Sequence, residues 1–387
     1  MPAALITGAT GFLGREILRD LLAREPDAHL VTLIRARDDI ELAKRHRDLM
    51  EPLPRAHQPR VISLRGDIAQ PEFGLSPTRY AMLAAHVDRV IHVAATTRFD
   101  HALDEARRWN VGGTAHVLAL CRAIRARGGS GRLDHVSTAY VAGRRTGLVF
   151  EDELDVGQGF RNSYEQSKFE AERLCRDAAG ELPIAIYRPS IIVGDATTGA
   201  TTSQKGLYAP LRLLVPFYLR WRLLTGLVPL PLRRECPLDV VPVDFVAAAI
   251  ATLYARPEAA GHCYHLAAGP DGAATIEDVA RLACRYFETP RRRFISPRGP
   301  VHWFARAARP LLARLSPGLV RQIECYWPYT VANPRFDTSN ARAAGLTPPE
   351  FAAYFPRLLA HIFGSGDATV RPAPVLDPRC LCGVGSR

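Results

Sequence analysis

From Ala3 to Tyr187, short apolar runs alternate with longer stretches whose apolar positions recur at helical spacing. "ALIT" (4–7), "LVTLI" (30–34), "RVISL" (60–64), "RVIHVAA" (89–95), "LDHVS" (133–137) and "IAIY" (184–187) read as strands buried on both faces. Between them, stretches such as Phe12–Arg24 and Leu103–Arg127 read as amphipathic helices. Strand and helix in alternation imply right-handed crossovers, so the expected fold is α/β: a doubly wound, mostly parallel sheet with helices on both faces. After Ser190 the regularity fails. Residues 200–236 are rich in Leu, Pro and Arg, after which 238–254 and 263–269 return to strand, helix and strand. Residues 275–287 begin a helix, with Thr275 as cap and Asp278 three residues on. The expected organisation is a nucleotide-binding domain from 1–203 and 237–270 and a smaller, mostly helical C-terminal substrate lobe from 204–236 and 271–363. The Gly, Pro, Ser and Arg content of 364–387 predicts a disordered tail.

Composition narrows the class. The 387 residues can bury a large core, and 47% hydrophobic with 23% charged residues is the balance of a soluble globular protein. The net charge of +11 suits an anionic ligand, but lysine occurs only at 44, 168 and 205, so an overall preference for arginine explains it equally well. No basic stripe with interleaved aromatics points to nucleic acid. The cysteines are scattered and read as free thiols of a cytoplasmic protein, and Cys380 and Cys382 in the tail make a poor metal site, so no metal is expected. The N-terminus lacks a signal-peptide pattern. The apolar stretch 206–232 is broken by Arg212, Arg220, Arg222 and prolines, which excludes a transmembrane helix and leaves peripheral membrane contact open.

"LITGATGFLGREIL" runs a strand into a glycine loop and a helix. Gly8, Gly11 and Gly14 permit a tight turn, close approach of a pyrophosphate and packing of the helix on the strand, while the helix N-terminus offers N–H donors. That is a dinucleotide site of the Rossmann type. The end of the second strand decides which dinucleotide: an acid there grips a ribose 2′-hydroxyl, a base a 2′-phosphate. Arg35 and Arg37 occupy that region and Asp38 and Asp39 follow, so NADP(H) is expected over NAD(H).

"NSYEQSKFEAE" (162–172) places Tyr164 and Lys168 one helical turn apart, so their heads can approach each other. Taken with "TGATGFLG", Gly66–Asp67, "DRVIHVAA" (88–95), "WNVGGT" (109–114), "HVSTAYVAG" (135–143), "YEQSK" (164–168) and "YRPSIIVG" (187–194), in that order, the chain resembles the extended short-chain dehydrogenase/reductase family over residues 2–270. The resemblance implies Tyr164 as proton donor, Lys168 as the adjacent cation that also holds the nicotinamide ribose, and Thr138 as the hydroxyl on the substrate oxygen. Ser137 is the alternative to Thr138, which alignment on "YVAG" favours; Asn110 orders backbone and water beside the site. A phenol titrates near pH ~10 and needs such a cation to act at neutral pH. The cofactor contacts implied are Gly8, Thr10, Gly11, Phe12, Leu13 and Gly14 at the pyrophosphate, Arg35 at the 2′-phosphate, Asp67 and Ile68 at the adenine, Ala94 and Ala95 along the ribose, and Pro189 and Ser190 near the carboxamide. A plain helix or turn cap is the alternative reading of Asp67.

Within that family, "HVAATTRFDHALDEARRWNVGGT" is most similar to the fatty acyl-CoA reductase and carrier-protein thioester reductase branch, the male-sterility-type NAD-binding group. That implies hydride transfer from NADPH to an acyl thioester, on coenzyme A or a carrier protein, giving an aldehyde or alcohol. The 206–232 stretch serves either an acyl channel or lobe packing. A ketone or hydroxysteroid-type reductase, or a sugar-nucleotide epimerase or dehydratase, would use the same residues on another carbonyl. A non-catalytic NADP(H)-sensing protein of this fold should lack a working Tyr/Lys pair, which this chain has.

Overall fold

The computed structural model describes residues 3–202, 208, 233–287, 327–330 and 332–364. The 206–232 stretch apart from Tyr208, the tail beyond Gly364 and Cys380 and Cys382 lie outside the described residues. Two units divide them: one comprises the residues up to Ser190 with Val243–Ala267 and Phe336–Thr347, the other the described parts of Ile191–Pro242 and Ala268–Arg335 and the residues from Pro348 on.

In the first unit, strands β1 (Ala3–Thr7), β2 (Leu30–Ile34), β3 (Val61–Arg65), β4 (Val87–His92) and β5 (Arg132–Val136) alternate with helices α1 (Phe12–Arg24), α2 (Asp39–Met50), α3 (Pro77–His86), α4 (Leu103–Arg107) and α5 (Gly113–Arg125). A two-residue strand β6 (Leu148–Val149) precedes α6 (Ser163–Asp177) and β7 (Ile184–Pro189). Beyond β8 (Ile191–Val193), β9 (Pro237–Leu238) and β10 (Val240–Pro242) of the second unit, the helix Val243–Tyr254 and β11 (Cys263–Leu266) return to the first. The seven-stranded sheet has the order β11-β7-β5-β4-β1-β2-β3 with every pair parallel. This is the expected doubly wound Rossmann-type α/β sheet. Its order reverses between β1 and β4, where a ligand crevice forms at the carboxyl ends of the strands.

The helices bury one stripe each. In α1 the buried residues are Leu13, Gly14, Ile17, Leu18, Leu21 and Leu22, and that helix packs against Val243–Tyr254. The returning helix is also pinned through its end, because the buried Arg132 of β5 donates to the carbonyls of Arg256 (2.7 Å) and Leu253 (3.0 Å) and to the Asp134 carboxylate (2.9 Å). Tyr187 donates to the same carboxylate at 2.6 Å. In the second unit, β8 pairs with β10, β9 with a strand at Ala274–Thr275, and the helix Ile276–Tyr286 packs on Phe351–Phe363. Thr275 and Asp278 form the capping box that their spacing predicts.

The stretch Phe336–Thr347, assigned from sequence to the smaller lobe, packs with the nucleotide-binding unit. Buried Glu151 is the reason: its carboxylate accepts from the backbone N–H of His265 (2.7 Å) and of Asn340 (2.6 Å). Asn340 donates in turn to the Cys263 carbonyl at 2.9 Å, and Phe336, fully buried, lies edge-on to Tyr140. Glu151→Gln replaces one acceptor oxygen by an N–H₂, leaving one of two buried amide donors unsatisfied, at a cost of about 1–3 kcal/mol. Denaturant unfolding should show that loss, and hydrogen exchange should show the Asn340 amide opening first; an unchanged midpoint would mean the clamp is immaterial.

Candidate active site

Gly8 adopts φ +75, and a Cβ there would lie 2.7 Å from the Ala94 nitrogen, so the segments that follow β1 and β4 approach as only glycine allows. The Gly11 N–H returns to the Gly8 carbonyl at 2.9 Å, closing the loop, and a Cβ on Gly14 would strike that same carbonyl. Thr10, Phe12 and Leu13 complete the turn into α1, with the Thr10 carbonyl held by Arg15. Helices α2, α3 and α6 are capped by the side chains of Asp38, Ser76 and Asn162, but α1 has Gly11 at its cap position, with no capping side chain and no acid in its first turn. Its leading N–H groups and positive dipole end are left for an anion. Ala94 N–H reaches Thr7 Oγ1 at 3.3 Å, with Ala95 next along the chain, so these alanines lie beside the loop. Across the crevice, Pro189 ends β7, and the hydroxyl of buried Ser190 has no hydrogen-bond partner among the described residues. These residues fit a dinucleotide: a pyrophosphate on the α1 terminus and a polar headgroup towards Ser190.

On α6, Tyr164, Lys168 and Glu172 follow at four-residue intervals and so share one face. Lys168, 3% exposed, donates to the Val136 carbonyl at 2.8 Å, tying the helix to the end of β5. Burial lowers its pKa to about 8, with Cys175 and Glu172 acting the other way, so the ammonium form persists at neutral pH. Burial raises the Tyr164 phenol to about 12, a hydrogen bond with Thr138 acting the other way, so it holds its proton. Glu172 is fully engaged: Arg188 approaches it at 2.7 Å, Arg176 at 3.1 Å, and Ser137 donates to it at 2.7 Å. The two candidate hydroxyls are thereby separated. Ser137 is committed to the buried Arg188–Glu172 pair, while Thr138 faces Tyr164 and lies 3.5 Å from the Pro189 carbonyl.

Between α4 and α5 the chain takes a π turn at Arg108–Gly112. Asn110 sits in it, accepting from the Thr96 N–H (2.8 Å) and donating to the Thr96 carbonyl (3.2 Å) and Ser167 Oγ (2.9 Å). It orders backbone, as expected, and also fastens the segment after β4 to α6. Among the residues expected at the adenosine end, Arg35 follows β2 with its guanidinium carbon 4.5 Å from the Trp109 ring centroid. Asp67 accepts from the Ala69 N–H at 2.9 Å, which is a turn-capping bond. Ile68 is buried against Gly113, and its carbonyl is within hydrogen-bonding distance of His116 Nδ1. Three features were not foreseen from the sequence. Phe99 lies 5.7 Å from Tyr164, Trp109 carries Arg35, and His92 and His135 occupy facing register positions on β4 and β5, rings 5.5 Å apart. The histidine pair left a readable signal, since both follow an arginine at the same interval along their strands, Arg89 and Arg132. Strand patterning nonetheless treats both as ordinary core.

The male sterility protein family model matches residues 6–250. A linear gramicidin synthase polypeptide of Brevibacillus parabrevis is 32% identical over 300 residues, which are 75% of this chain and 6% of that protein. The L-2-aminoadipate reductase large subunit of Penicillium chrysogenum is 30% identical over 278 residues, 67% of this chain and 19% of that protein. The chain therefore spans only a small part of the curated relatives it matches. The solved terminal R domain from the myxalamid PKS-NRPS biosynthetic pathway superposes with a TM-score of 0.79 at 28% identity, covering 95% of this chain and 91% of that one.

Thr138→Val removes the hydroxyl facing Tyr164 while keeping volume, and turnover should fall by about 10²–10³, the effect of losing one oxyanion-type donor. Ser137→Ala should instead lower unfolding stability and leave turnover near wild type. The opposite pattern would make Ser137 the working hydroxyl.

Proposed function

This chain belongs to the male sterility protein family, a nicotinamide-dependent reductase branch of the extended short-chain dehydrogenase/reductases, and on that premise we propose that it is an NADPH-dependent reductase of acyl thioesters. The likeness to a terminal R domain over 95% of the chain carries this reading, because an assembly-line product is held by its carrier as a thioester. The substrate is an acyl group on a carrier-protein phosphopantetheine or on coenzyme A, and the product is an aldehyde or, after a second reduction, an alcohol.

A bound nicotinamide supplies the hydride. The protein supplies the rest. Gly8, Thr10, Gly11, Phe12, Leu13 and Gly14 bind the pyrophosphate, Ala94 and Ala95 flank the ribose, Asp67 and Ile68 border the adenine, Arg35 meets the 2′-phosphate, and Pro189 and Ser190 hold the carboxamide. Thr138 donates a hydrogen bond to the thioester carbonyl oxygen and Tyr164 gives that oxygen its proton. A phenol near 12 gives up its proton only as negative charge develops on the acceptor, so donation coincides with hydride arrival. Lys168, one turn away and anchored on the Val136 carbonyl, stabilises the phenolate left behind and positions the ribose. Collapse of the resulting hemithioacetal expels the thiol and leaves the aldehyde.

Purified protein should oxidise NADPH with acyl-coenzyme A or acyl-carrier thioesters and yield aldehyde or alcohol; turnover of ketosteroids or nucleotide sugars and not of thioesters would reject the substrate class. Tyr164→Phe should lower kcat by at least about 10² while NADPH affinity stays near wild type. Because the Lys168 ammonium is present below about 8 and lost above it, kcat should fall as pH rises through that value. A rate flat across that range would remove Lys168 from the charge-stabilising role.

A further inference from the structure

The π turn at Arg108–Gly112 aims two consecutive residues at different ends of the crevice. Asn110 goes to Thr96 and Ser167 beside Tyr164, while Trp109 goes to Arg35 at the carboxyl end of β2. The Arg35 guanidinium carbon lies 4.5 Å from the indole centroid, and that of Arg108 lies 5.3 Å from the same ring. Both distances are within the cation–π range. Trp109 is half-buried and packs on the core cluster that contains Ile68, so the indole is a fixed platform for the two cations.

Charge pairing distinguishes these two arginines from their neighbours. Arg37 pairs with Glu41 at 3.0 Å, Arg45 with Glu41 at 2.9 Å and Arg65 with Asp39 at 3.5 Å. Among the described residues neither Arg35 nor Arg108 has a carboxylate within ion-pairing distance. Two guanidinium groups held on one aromatic ring, with no acid to neutralise them, match a dianionic phosphomonoester better than a neutral ribose hydroxyl.

We propose that Trp109 and Arg108 act with Arg35 as a three-residue clamp for the cofactor's 2′-phosphate, Arg108 as a second phosphate ligand and Trp109 as a positioning residue that holds Arg35 in place. This rests on the NADPH reading above and extends it to two residues which that reading does not use. Without the indole, the Arg35 side chain would have to give up rotamer freedom on binding; with it, much of that cost is met beforehand.

Calorimetric titration with NADPH, NADH, 2′,5′-ADP and 5′-AMP tests the clamp without relying on turnover. Arg108→Ala and Trp109→Leu should each weaken NADPH and 2′,5′-ADP roughly tenfold and leave NADH and 5′-AMP within roughly twofold. Trp109→Phe, which restores an aromatic face, should recover most of the NADPH affinity. Equal losses for phosphorylated and unphosphorylated ligands in Arg108→Ala, a variant with no core to disturb, would overturn the clamp, as would unchanged NADPH affinity. A wild-type protein that binds NADH more tightly than NADPH would overturn the NADPH assignment and the clamp together. One that prefers NADPH while the variants keep that preference would overturn the clamp alone, and neither result bears on whether the substrate is a thioester.

Discussion

The Lys168 ammonium on the Val136 carbonyl is the contact around which the candidate active site is assembled. It joins the middle of α6 to the last residue of β5, and a candidate catalytic residue lies on each side of that joint. One turn back along the helix is Tyr164; two residues on along the strand is Thr138. A buried cation is costly unless hydrogen-bonded and compensated. The carbonyl provides the bond, and Glu172, one turn further on, provides negative charge nearby. Glu172 would itself be costly in the core without Arg188, Arg176 and Ser137 around it. The proposed catalytic pair is thus the end of a chain of buried charges, each of which makes the next tolerable.

The same dependence explains what could be read from the sequence. The glycine loop was legible because a tight turn and a close backbone approach demand glycine, and Gly8 has φ +75 and lies against Ala94. The strands were legible because parallel strands covered on both faces are apolar throughout. Tyr164 and Lys168 stood out by spacing and by the rarity of lysine. Hidden from pattern reading were the features that depend on non-local partners. Nothing local to Ser137 reveals that its hydroxyl belongs to Glu172, or that Glu151 draws Phe336–Thr347 on to the nucleotide-binding unit. The π turn was equally opaque, since one extra residue per turn leaves the apolar periodicity of Leu103–Arg125 almost undisturbed.

That extra residue also links the two ends of the cofactor crevice. In a regular helix, side chains at adjacent positions diverge by about 100°. Widening one turn changes where Trp109 and Asn110 point without moving the helix that carries them. Asn110 needs to reach a strand exit and α6 at once, which it does through three hydrogen bonds; Trp109 is then delivered to Arg35. The placement of Asn110 beside Thr96 and Ser167 and of Trp109 beside Arg35 therefore comes from a single backbone irregularity, and substitutions that regularise it would disturb both.

Beneath the site, the sheet is polar where a core would ordinarily be apolar. His92 and His135 are completely buried side by side, and burial, with the Lys168 charge next in size for both, holds both imidazoles far below their ordinary range, to about 3 for His92. They are neutral throughout the physiological range, so they add no charge to compete with the ammonium above them. His92 is fixed by Thr7 and Thr114, at 2.7 Å and 3.3 Å, whereas neither nitrogen of His135 has a hydrogen-bond partner among the described residues. A leucine at 135 would bury as well and leave no polar atom unsatisfied. The imidazole at 135 is therefore carried in the core as a neutral group whose polar atoms are left unsatisfied, a cost that its neighbour His92 avoids. The charge on Lys168 survives its own burial through other partners: the Val136 carbonyl bonds it, and Cys175 and Glu172 act against the burial that lowers its pKa.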